Sequence, residues 1–352
     1  MNKNAIMIAM SGGVDSAVSA YLASRNRKAA GVTMRLCTDK LCTAESADED
    51  IRGAKAVCEL LGLPHFVADL GEQFAQHVVE PFIAAYEAGL TPNPCVFCNK
   101  ALKFGALLDF ARKNGFERIA TGHYARLERS AEGRTLLRRA ADPTKDQTYM
   151  LWSLSQDVLA RAEFPLGELT KTEARALAAE LHFPMAERHD SQDICFVPDG
   201  DYAAFIERYT GRATEPGSYI DQSGRVLGQH RGQLRYTIGQ RKGLGIALGK
   251  PAFVTAKSAA HNTVTLGENE DLFKRRLVAT DINLIPFDRL DRPMQLLAKA
   301  RYRQEAAPAR VEQTDAHTLV VEFETPQRAI SPGQSLVLYD GDYVVGGGII
   351  RE

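Results

Sequence analysis

The residue types at positions 11 to 16, Ser-Gly-Gly-Val-Asp-Ser, are suited to binding phosphate. Adjacent Gly12 and Gly13 let backbone N–H groups close around an anion, and the hydroxyls of Ser11 and Ser16 can hydrogen-bond its oxygens. A helix that begins directly after the loop adds its positive end. No lysine follows the glycines, so this is not a Walker A loop, and the spacing differs from the Gly-x-Gly-x-x-Gly dinucleotide turn. The segment predicts another class of nucleotide site; the alternative is an ordinary tight turn between a strand and a helix.

Cysteines form the second set of reactive side chains. Cys95 and Cys98 form a Cys-x-x-Cys pattern at the predicted start of a helix, where the helix dipole and Lys100 should lower a thiol pKa. Cys195 lies in a separate segment, 190–197, so only the tertiary fold could bring it to Cys98. Inert buried cysteines, a structural zinc site and a thioredoxin-like redox pair are the alternatives. Zinc usually takes ligands from two close pairs, and no second Cys-x-x-Cys occurs.

The composition is that of a folded chain. Hydrophobic residues make up 45% of the sequence and charged residues 25%, which excludes a disordered, collagen-like or coiled-coil protein. The apolar run at 5–10 is too short for a signal sequence or a membrane span, so we expect a cytoplasmic protein without membrane contact. Six cysteines are too few for a disulfide framework. We expect no chemistry from Cys37, Cys42 or Cys58, and Cys58 is the best core candidate.

The elements that must position these residues alternate between strands and helices in the first part of the chain, which predicts a parallel sheet with covered faces. The predicted strands are 5–10, 31–36, 64–70 and 118–122, and the predicted helices are 16–25, 45–61, 71–88, 100–114 and 171–182. After residue 209, Gly-rich turns and alternating segments predict strands at 253–257, 263–266, 319–324 and 335–339. A chain of 352 residues is too long for one core. We therefore predict an α/β domain at 1–205, a mostly-β domain at 206–273 and a β-barrel at 274–352.

Positive charge is concentrated locally, although the net charge is only -1. The stretch from 225 to 257 contains no acidic residue and seven basic ones, Arg225, Arg231, Arg235, Arg241, Lys242, Lys250 and Lys257. We expect this stretch to contact nucleic-acid phosphates, with His230 and Tyr236 available for stacking. The alternative is a solvated basic surface. Arg301 to Gln304 extend the basic, aromatic character into the last domain.

The loop at 11–16 resembles that of the PP-loop ATP pyrophosphatases, which cleave ATP between its α and β phosphates and adenylate a substrate oxygen. Further segments are similar to the bacterial tRNA-specific 2-thiouridylases, and the resemblance extends over nearly the whole chain. These segments are 91–100, 120–124, 145–151, 190–197, 236–246, 301–304 and 331–334. The resemblance implies that the first domain is a catalytic PP-loop domain of the adenine nucleotide α-hydrolase type and that the central domain binds tRNA.

The resemblance also implies a reaction. Family members use ATP and Mg²⁺ to adenylate O2 of the wobble uridine of tRNAs for Lys, Glu and Gln, and a persulfide sulfur then replaces that oxygen. Cys195 would carry the persulfide, Cys98 would help to release the sulfur, and a disulfide between them would end the turnover; Asp15 would lie near Mg²⁺. The implied partners are tRNA and a sulfur donor, which is a cysteine desulfurase, a relay protein or free sulfide. The alternatives are another PP-loop thiolase or synthetase and a non-catalytic tRNA- or iron-sulfur-binding module.

The binding residues follow from the same resemblance. Those implied for ATP are Ala9, Met10, Ser11, Gly12, Gly13, Val14, Asp15, Ser16, Met34 and Gly122. Those implied for tRNA are Asn93, Pro94, Cys95, His123, Lys145, Asp146, Gln147, Arg301, Tyr302 and Gln334. Cys95 departs from the well-studied members, which carry Asp there. With Cys95, Cys98 and Cys195 the chain instead resembles the three-cysteine thiolases, in which three thiolates hold a [4Fe-4S] cluster and leave one iron open for sulfide.

Overall fold

The computed structural model describes residues 4–38, 41, 44–186 and 194–352, with the side chains of 44–47 left out of the description. Cys42 and the part of the 190–197 segment before residue 194 lie outside the described residues. Elements are numbered along the chain.

A parallel sheet forms the centre of the first domain, as the alternation of strands and helices predicted. Its strands pair in the order β3-β2-β1-β4-β7, and every pair is parallel. They are β1 Ile6–Ala9, β2 Ala29–Arg35, β3 His65–Asp69, β4 Arg118–Ala120 and β7 Ala162–Glu163. Along β1, Ile6 and Ile8 pack into one hydrophobic cluster and Met7 into another. Both faces of the sheet are therefore covered, which explains why β1 is a continuous apolar run.

Helices cover the sheet on both sides. Their bounds are α1 Val14–Ser24, α2 Ala44–Leu60, α3 Gly71–Phe74, α4 Glu80–Glu87, α5 Pro94–Phe97, α6 Leu107–Lys113, α7 Gln156–Leu159, α8 Lys171–Glu180 and α9 Tyr202–Thr210. Two long helices have π-helical centres: Ala75–Val79 joins α3 to α4, and Cys98–Ala106 joins α5 to α6. Short 3₁₀ turns lie at Thr148–Met150, Gln233–Arg235 and Glu270–Leu272.

The central part of the chain forms a small sheet with the strand order β10-β11-β8-β9. Its strands are β8 Gly217–Ile220, β9 Val226–His230, β10 Phe253–Ser258 and β11 Thr263–Gly267. Tyr219, Tyr236, Val254 and Val264 form its core.

The last part of the chain is a closed antiparallel barrel. Its strands, β12 Phe273–Leu284, β13 Met294–Lys299, β14 Ala307–Asp315, β15 Thr318–Arg328, β16 Ser335–Asp340 and β17 Tyr343–Ile350, pair in the order β12-β15-β14-β13-β16-β17. Pairing of β12 with β17 closes the ring. The predicted α/β, mostly-β and barrel architecture is confirmed, whereas the residue boundaries between domains stay a prediction.

One connection was not predicted from the sequence. A hairpin of the first domain, β5 Arg126–Arg129 and β6 Thr135–Arg138, continues the sheet of the barrel, because β6 pairs with β17 where Tyr343 meets Arg138. The first and last domains therefore share one hydrogen-bonded sheet. Among the described helices, none has the length and apolarity needed to cross a membrane.

Candidate active site

The loop between β1 and α1 is closed by its own serines. The Ser16 hydroxyl accepts from the Ser11 backbone N–H at 3.1 Å and donates to the Gly13 carbonyl at 2.9 Å. Gly12 has a φ of 71°, a left-handed conformation that glycine adopts without strain. The hydroxyl of Ser16, which we expected to face phosphate, is thus engaged within the loop. What remains for an anion is the row of N–H groups at the start of α1.

The neighbouring strands bring the other expected nucleotide residues to this loop. Gly122 follows β4, and a Cβ added to it would lie 3.0 Å from the Asp15 carbonyl carbon and 3.1 Å from the Ser16 nitrogen. Met34 lies near the carboxyl end of β2, on the other side of β1. Ligands of open α/β sheets bind at this edge of the sheet. Met10 is 3% exposed and belongs to the core, so its side chain does not face a nucleotide at the surface.

Asp15 is held by two residues that the sequence analysis did not identify. Tyr124 Oη donates to Asp15 Oδ1 at 2.9 Å, and Lys171 Nζ lies 2.7 and 2.8 Å from the two Asp15 carboxylate oxygens. Thr170 and Glu173 form a capping box that starts α8, which is a recognisable sequence signal for a helix. Nothing in the sequence links that helix to a loop more than 150 residues earlier.

A second set of contacts fixes the segment before Cys95. Asn93 caps α5, accepting from the Cys95 backbone N–H at 3.2 Å, and its amide donates to the Met150 sulfur at 3.3 Å. Gln334 of the barrel donates to the Thr91 carbonyl at 2.7 Å. Gln334 therefore ties the barrel to the segment that is expected to receive the target base.

The three cysteines of interest lie close enough to influence one another electrostatically. All three are free thiols; Cys95 and Cys195 are exposed and Cys98 is half-buried. Surrounding protein atoms raise the pKa of each thiol, to about 12 for Cys195, and the other two cysteines also raise the pKa of Cys195.

The expectation of a lowered thiol pKa is wrong for the protein alone, because desolvation outweighs the helix dipole and the nearby positive charge. The opposing cation is also a different residue. Lys103, rather than Lys100, lowers the pKa of all three thiols, although by less than burial raises it. Cys98 and Lys103 lie in the same π-helical segment, whose wider turn brings residues five apart closer to one face. An α-helix, which the sequence predicts, would direct them apart.

His123 follows Gly122 in the chain and is buried. Its ring is 7% exposed, lies near the rings of Phe104 and Phe164, and shares a 2.7 Å hydrogen bond between Nδ1 and Thr121 Oγ1. Burial, followed by the charge of Lys103, holds the pKa of His123 well below its usual value, so the ring is neutral. A buried neutral ring offers little surface to tRNA, and that role of His123 stays a prediction.

Other expected tRNA residues converge beside Cys95. Tyr302 of the barrel is 38% exposed, and its pKa is raised by burial and is also influenced by Asp146, Lys145 and Cys95. Lys299 Nζ lies over the rings of both Tyr302 and Tyr149, at 5.6 and 5.7 Å from their centres.

Two further expected tRNA residues, like Asn93 and Gln334, are hydrogen-bonded within the protein. Arg301 donates to the Ile238 carbonyl at 2.9 Å, linking the barrel to the central domain. Gln147 accepts from the Tyr124 backbone N–H at 2.9 Å. The side chains of Arg301 and Gln147 therefore help to hold neighbouring segments of the protein together.

In the fold, several of the basic side chains of the stretch 225–257 are paired with acidic residues or buried. Arg225 pairs with Asp221, Arg235 with Glu207 and Lys250 with Glu268. Lys257 Nζ is buried, and burial lowers its pKa to about 8. The expectation that His230 and Tyr236 stack on nucleic acid is wrong, because they are 2% and 1% exposed. The exposed side chains left without an ion pair among the described residues are Arg231, Arg241 and Lys242.

Two further cysteines, Cys37 and Cys58, lie among the described residues. Cys58 is fully buried, as predicted, and its pKa is raised to about 11 by desolvation. Cys37 is disulfide-bonded, which the sequence analysis did not predict. Within the described parts of the chain, no three His, Cys, Asp or Glu side chains lie close enough to hold one metal ion.

Comparison with family models divides the chain into three matches. A model described as tRNA methyl transferase HUP domain matches residues 4–199, one described as tRNA methyl transferase PRC-barrel domain matches 203–268, and one described as Aminomethyltransferase beta-barrel domain matches 274–350.

Two curated relatives are similar over their whole length. The tRNA-specific 2-thiouridylase MnmA of Clostridioides difficile is 44% identical over 100% of this chain and 99% of its own. That of Clostridium acetobutylicum is 44% identical over 100% of both. A solved structure, the U34-tRNA thiolase NcsA from Methanococcus maripaludis with its [4Fe-4S] cluster, is 15% identical with a TM-score of 0.35, covering 59% of this chain and 70% of that one. So distant a likeness says nothing about iron in this chain.

Replacing Gly122 by Ala should weaken ATP binding, because the new Cβ would displace the backbone of Asp15 and Ser16 by a few tenths of an ångström. We expect a loss of about tenfold or more in ATP affinity, measured by calorimetry, since the loop amides act together. Gly53→Ala is the matched control, because its Cβ would meet the same loop at an ordinary 3.8 Å from Gly12. Equal ATP affinity in both variants would contradict the close fit at Gly122.

Replacing Lys103 by Met should slow alkylation of the site thiols, because removal of the cation raises their pKa further and lowers the thiolate fraction at a given pH. The rate-against-pH curve of Cys98 with iodoacetamide, followed by peptide mass spectrometry, should move to higher pH. Lys100→Met should leave the curve unchanged. A shift in the Lys100 variant and none in the Lys103 variant would reverse our assignment of the cation.

Proposed function

Since the chain belongs to the tRNA-specific 2-thiouridylase family, we propose that it is an ATP-dependent tRNA-uridine 2-sulfurtransferase acting on the wobble uridine. Two of the matching family models are described as methyl transferase domains, but methyl transfer would not use the three thiols. Thiolation uses them directly.

One connected set of contacts carries the proposal. Gly122 packs on Asp15 and Ser16 of the loop, and His123 follows it in the chain. The charge of Lys103 acts on His123 and on all three thiols. These relations support an activation site next to a sulfur-transfer site, which a reaction in two steps on one base requires.

The first step activates the base. O2 of the uridine attacks the α phosphorus of ATP, the bond from that phosphorus to the bridging oxygen breaks, and pyrophosphate leaves with the bonding electrons. A pyrimidine carbonyl oxygen is a poor leaving group, and adenylation converts it into AMP. The loop at 11–16, with Met34 and Gly122, binds the nucleotide in this proposal, and Asp15 supplies a carboxylate suited to Mg²⁺.

The second step transfers sulfur. The terminal sulfur of a Cys195 persulfide attacks C2, and AMP leaves with its oxygen. The Cys98 thiolate then attacks the Cys195 sulfur, so that the bond between Cys195 and the transferred sulfur breaks and its electrons remain on the base as 2-thiouridine. The product on the protein is a Cys98–Cys195 disulfide, which an external thiol must reduce before the next turnover.

Substrate and partners follow from this chemistry. The tRNA is held by Asn93 to Cys95 at the base and by the Lys145 to Gln147 segment and Tyr302 beside it, with Arg231, Arg241 and Lys242 as candidate phosphate contacts. A sulfur donor must form the persulfide; a cysteine desulfurase, a relay protein and sulfide stay open. Use of the Lys, Glu and Gln tRNAs, the domain boundaries and the cytoplasmic location stay predictions.

Cys95 supports a second candidate for the sulfur carrier. Cys95, Cys98 and Cys195 are free thiols that influence one another, a donor set that fits three corners of a [4Fe-4S] cluster. They are not close enough to share one ion, but a cluster holds its thiolates farther apart than one ion does. Such a cluster would supply an open iron for sulfide, and Cys98 and Cys195 would then be ligands.

A synthetase and a non-catalytic module would each leave features of the site unused. A PP-loop synthetase for ammonia or an amino acid would give no task to the thiols beside the loop. A non-catalytic binding module would not require Gly122, Tyr124 and Lys171 to converge on Asp15.

Replacement of Cys195 by Ser should abolish 2-thiouridine formation while tRNA-dependent pyrophosphate release continues, because adenylation does not use the thiol. Cys98→Ser should trap tRNA on Cys195 through a disulfide bond to the base, seen as a complex on denaturing gels that dithiothreitol dissolves. Cys95→Ser should give neither defect if the carrier is a persulfide, and should lose thiolation if the carrier is a cluster. Thiolation by the Cys195 variant would contradict both proposed sulfur carriers.

The iron content of the protein distinguishes a persulfide carrier from a cluster carrier. Protein purified without oxygen should contain no stoichiometric iron or acid-labile sulfide and should still thiolate tRNA, if the carrier is a persulfide. Cys95→Asp, which restores the residue usual in the family, should then remain active. About four irons per chain, lost together with activity in the Cys95 variant, would instead assign the sulfur to a cluster.

A further inference from the structure

The geometry around Asp15 points to Lys171 as an ATP-contacting residue: we propose that its ammonium group donates to the pyrophosphate portion of bound ATP and stabilises the charge that develops there. The inference rests on the proposed function and adds to it a residue that neither the loop pattern nor the resemblance assigns.

Lys171 contacts the loop at 11–16 through Asp15. Its Nζ lies 2.7 and 2.8 Å from the two oxygens of Asp15, which is the second residue of α1. The lysine side chain is only 11% exposed, and its ammonium group lies 5.9 Å from the centre of the Tyr124 ring. The cation is thus directed inward to the start of α1, where the loop amides face an anion.

The backbone of Lys171 is fixed independently of that ion pair. Lys171 is the first residue of α8, and the reciprocal capping box of Thr170 and Glu173 holds this helix start. The Lys171 backbone N–H also donates to Asp142 Oδ2 at 3.1 Å, and Asp142 in turn accepts from Thr144. The Cα is therefore fixed, whereas the long side chain can exchange one anionic partner for another.

The loop itself creates the need for such a cation. Walker A loops supply a lysine directly after their glycines, and the sequence at 11–16 has none. The tertiary fold supplies one from a distant helix. When the bond between the α phosphorus and the bridging oxygen breaks, its electron pair passes to the pyrophosphate. An ammonium group with three donors stabilises that charge without giving up its proton.

Asp15 is the anionic partner that Lys171 would give up when it binds ATP. Without nucleotide, the carboxylate neutralises Lys171 and keeps it beside the loop. When ATP binds with its counter-ion, phosphate oxygens offer the lysine a second anion, and the carboxylate becomes available to the counter-ion.

The test compares ligands that differ in the pyrophosphate group. Lys171→Met should weaken binding of MgATP and of inorganic pyrophosphate by about tenfold or more, the effect of one charge-assisted hydrogen bond. Binding of AMP should be unchanged, because it lacks that group. Calorimetry without tRNA gives these affinities. Lys55→Met is the matched control, since Lys55 forms an exposed ion pair with Glu59 on α2 at 3.8 Å; it should change none of the three affinities.

A structural role for Lys171 would give a different pattern. If the lysine only neutralises Asp15, its removal should change the affinities of ATP and AMP equally, or neither, and either result would overturn the inference. Lys171→Gln, whose amide can still donate to Asp15, is the second variant should the Met variant fail to fold. Lys171→Arg should restore part of the preference for ATP over AMP.

The two proposals fail separately. If the unmodified protein binds no MgATP, the proposed function fails together with the role of Lys171. If it binds MgATP and the Lys171 variants bind it equally well, only the inference about Lys171 is wrong.

Discussion

Burial of both faces of the parallel sheet is the constraint on which the site depends. Because helices cover the sheet from either side, the functional residues can only collect where strands end. The loop after β1, Met34 near the end of β2 and Gly122 after β4 meet at one edge. The absence of a side chain on Gly122 lets that strand end contact the loop directly. The close packing that excludes a methyl group there also fixes the position of Asp15.

Desolvation raises the pKa of the site thiols and so favours their neutral form. Surrounding protein atoms raise the pKa of Cys98 and Cys195, and Lys103 opposes this only in part. A persulfide is more acidic than a thiol, so loading sulfur onto Cys195 would restore an anionic nucleophile at neutral pH. A thiol that is protonated until it carries the persulfide sulfur would be less prone to oxidation in a site exposed to solvent.

The barrel is hydrogen-bonded to segments of the first domain near Cys95. Gln334 holds the Thr91 carbonyl, and Asn283 donates to the Trp152 carbonyl at 2.8 Å, so both segments that flank Cys95 are bonded to the barrel. Tyr302 lies close enough to Cys95 for the two to interact electrostatically, and Lys299 lies over the Tyr302 ring. The hairpin β5–β6 adds a shared sheet between the same domains. The barrel and the first domain are therefore joined both beside Cys95 and through a common sheet.

The sequence by itself determined the strand-loop-helix start, the order of α/β, mostly-β and barrel parts, and the three cysteines, because each is written in local spacing and periodicity. Only the tertiary structure decided what surrounds them. Lys171 and Tyr124 reach Asp15 across long separations in the sequence. Lys103 takes the place expected for Lys100 because Cys98 and Lys103 lie in a π-helical segment, where the sequence had predicted an α-helix. The fold also buried His230, Tyr236 and Lys257, which look like a binding surface in the sequence. Local patterns specify which groups are available, whereas desolvation and long-range contacts decide which of them carry charge and where they face.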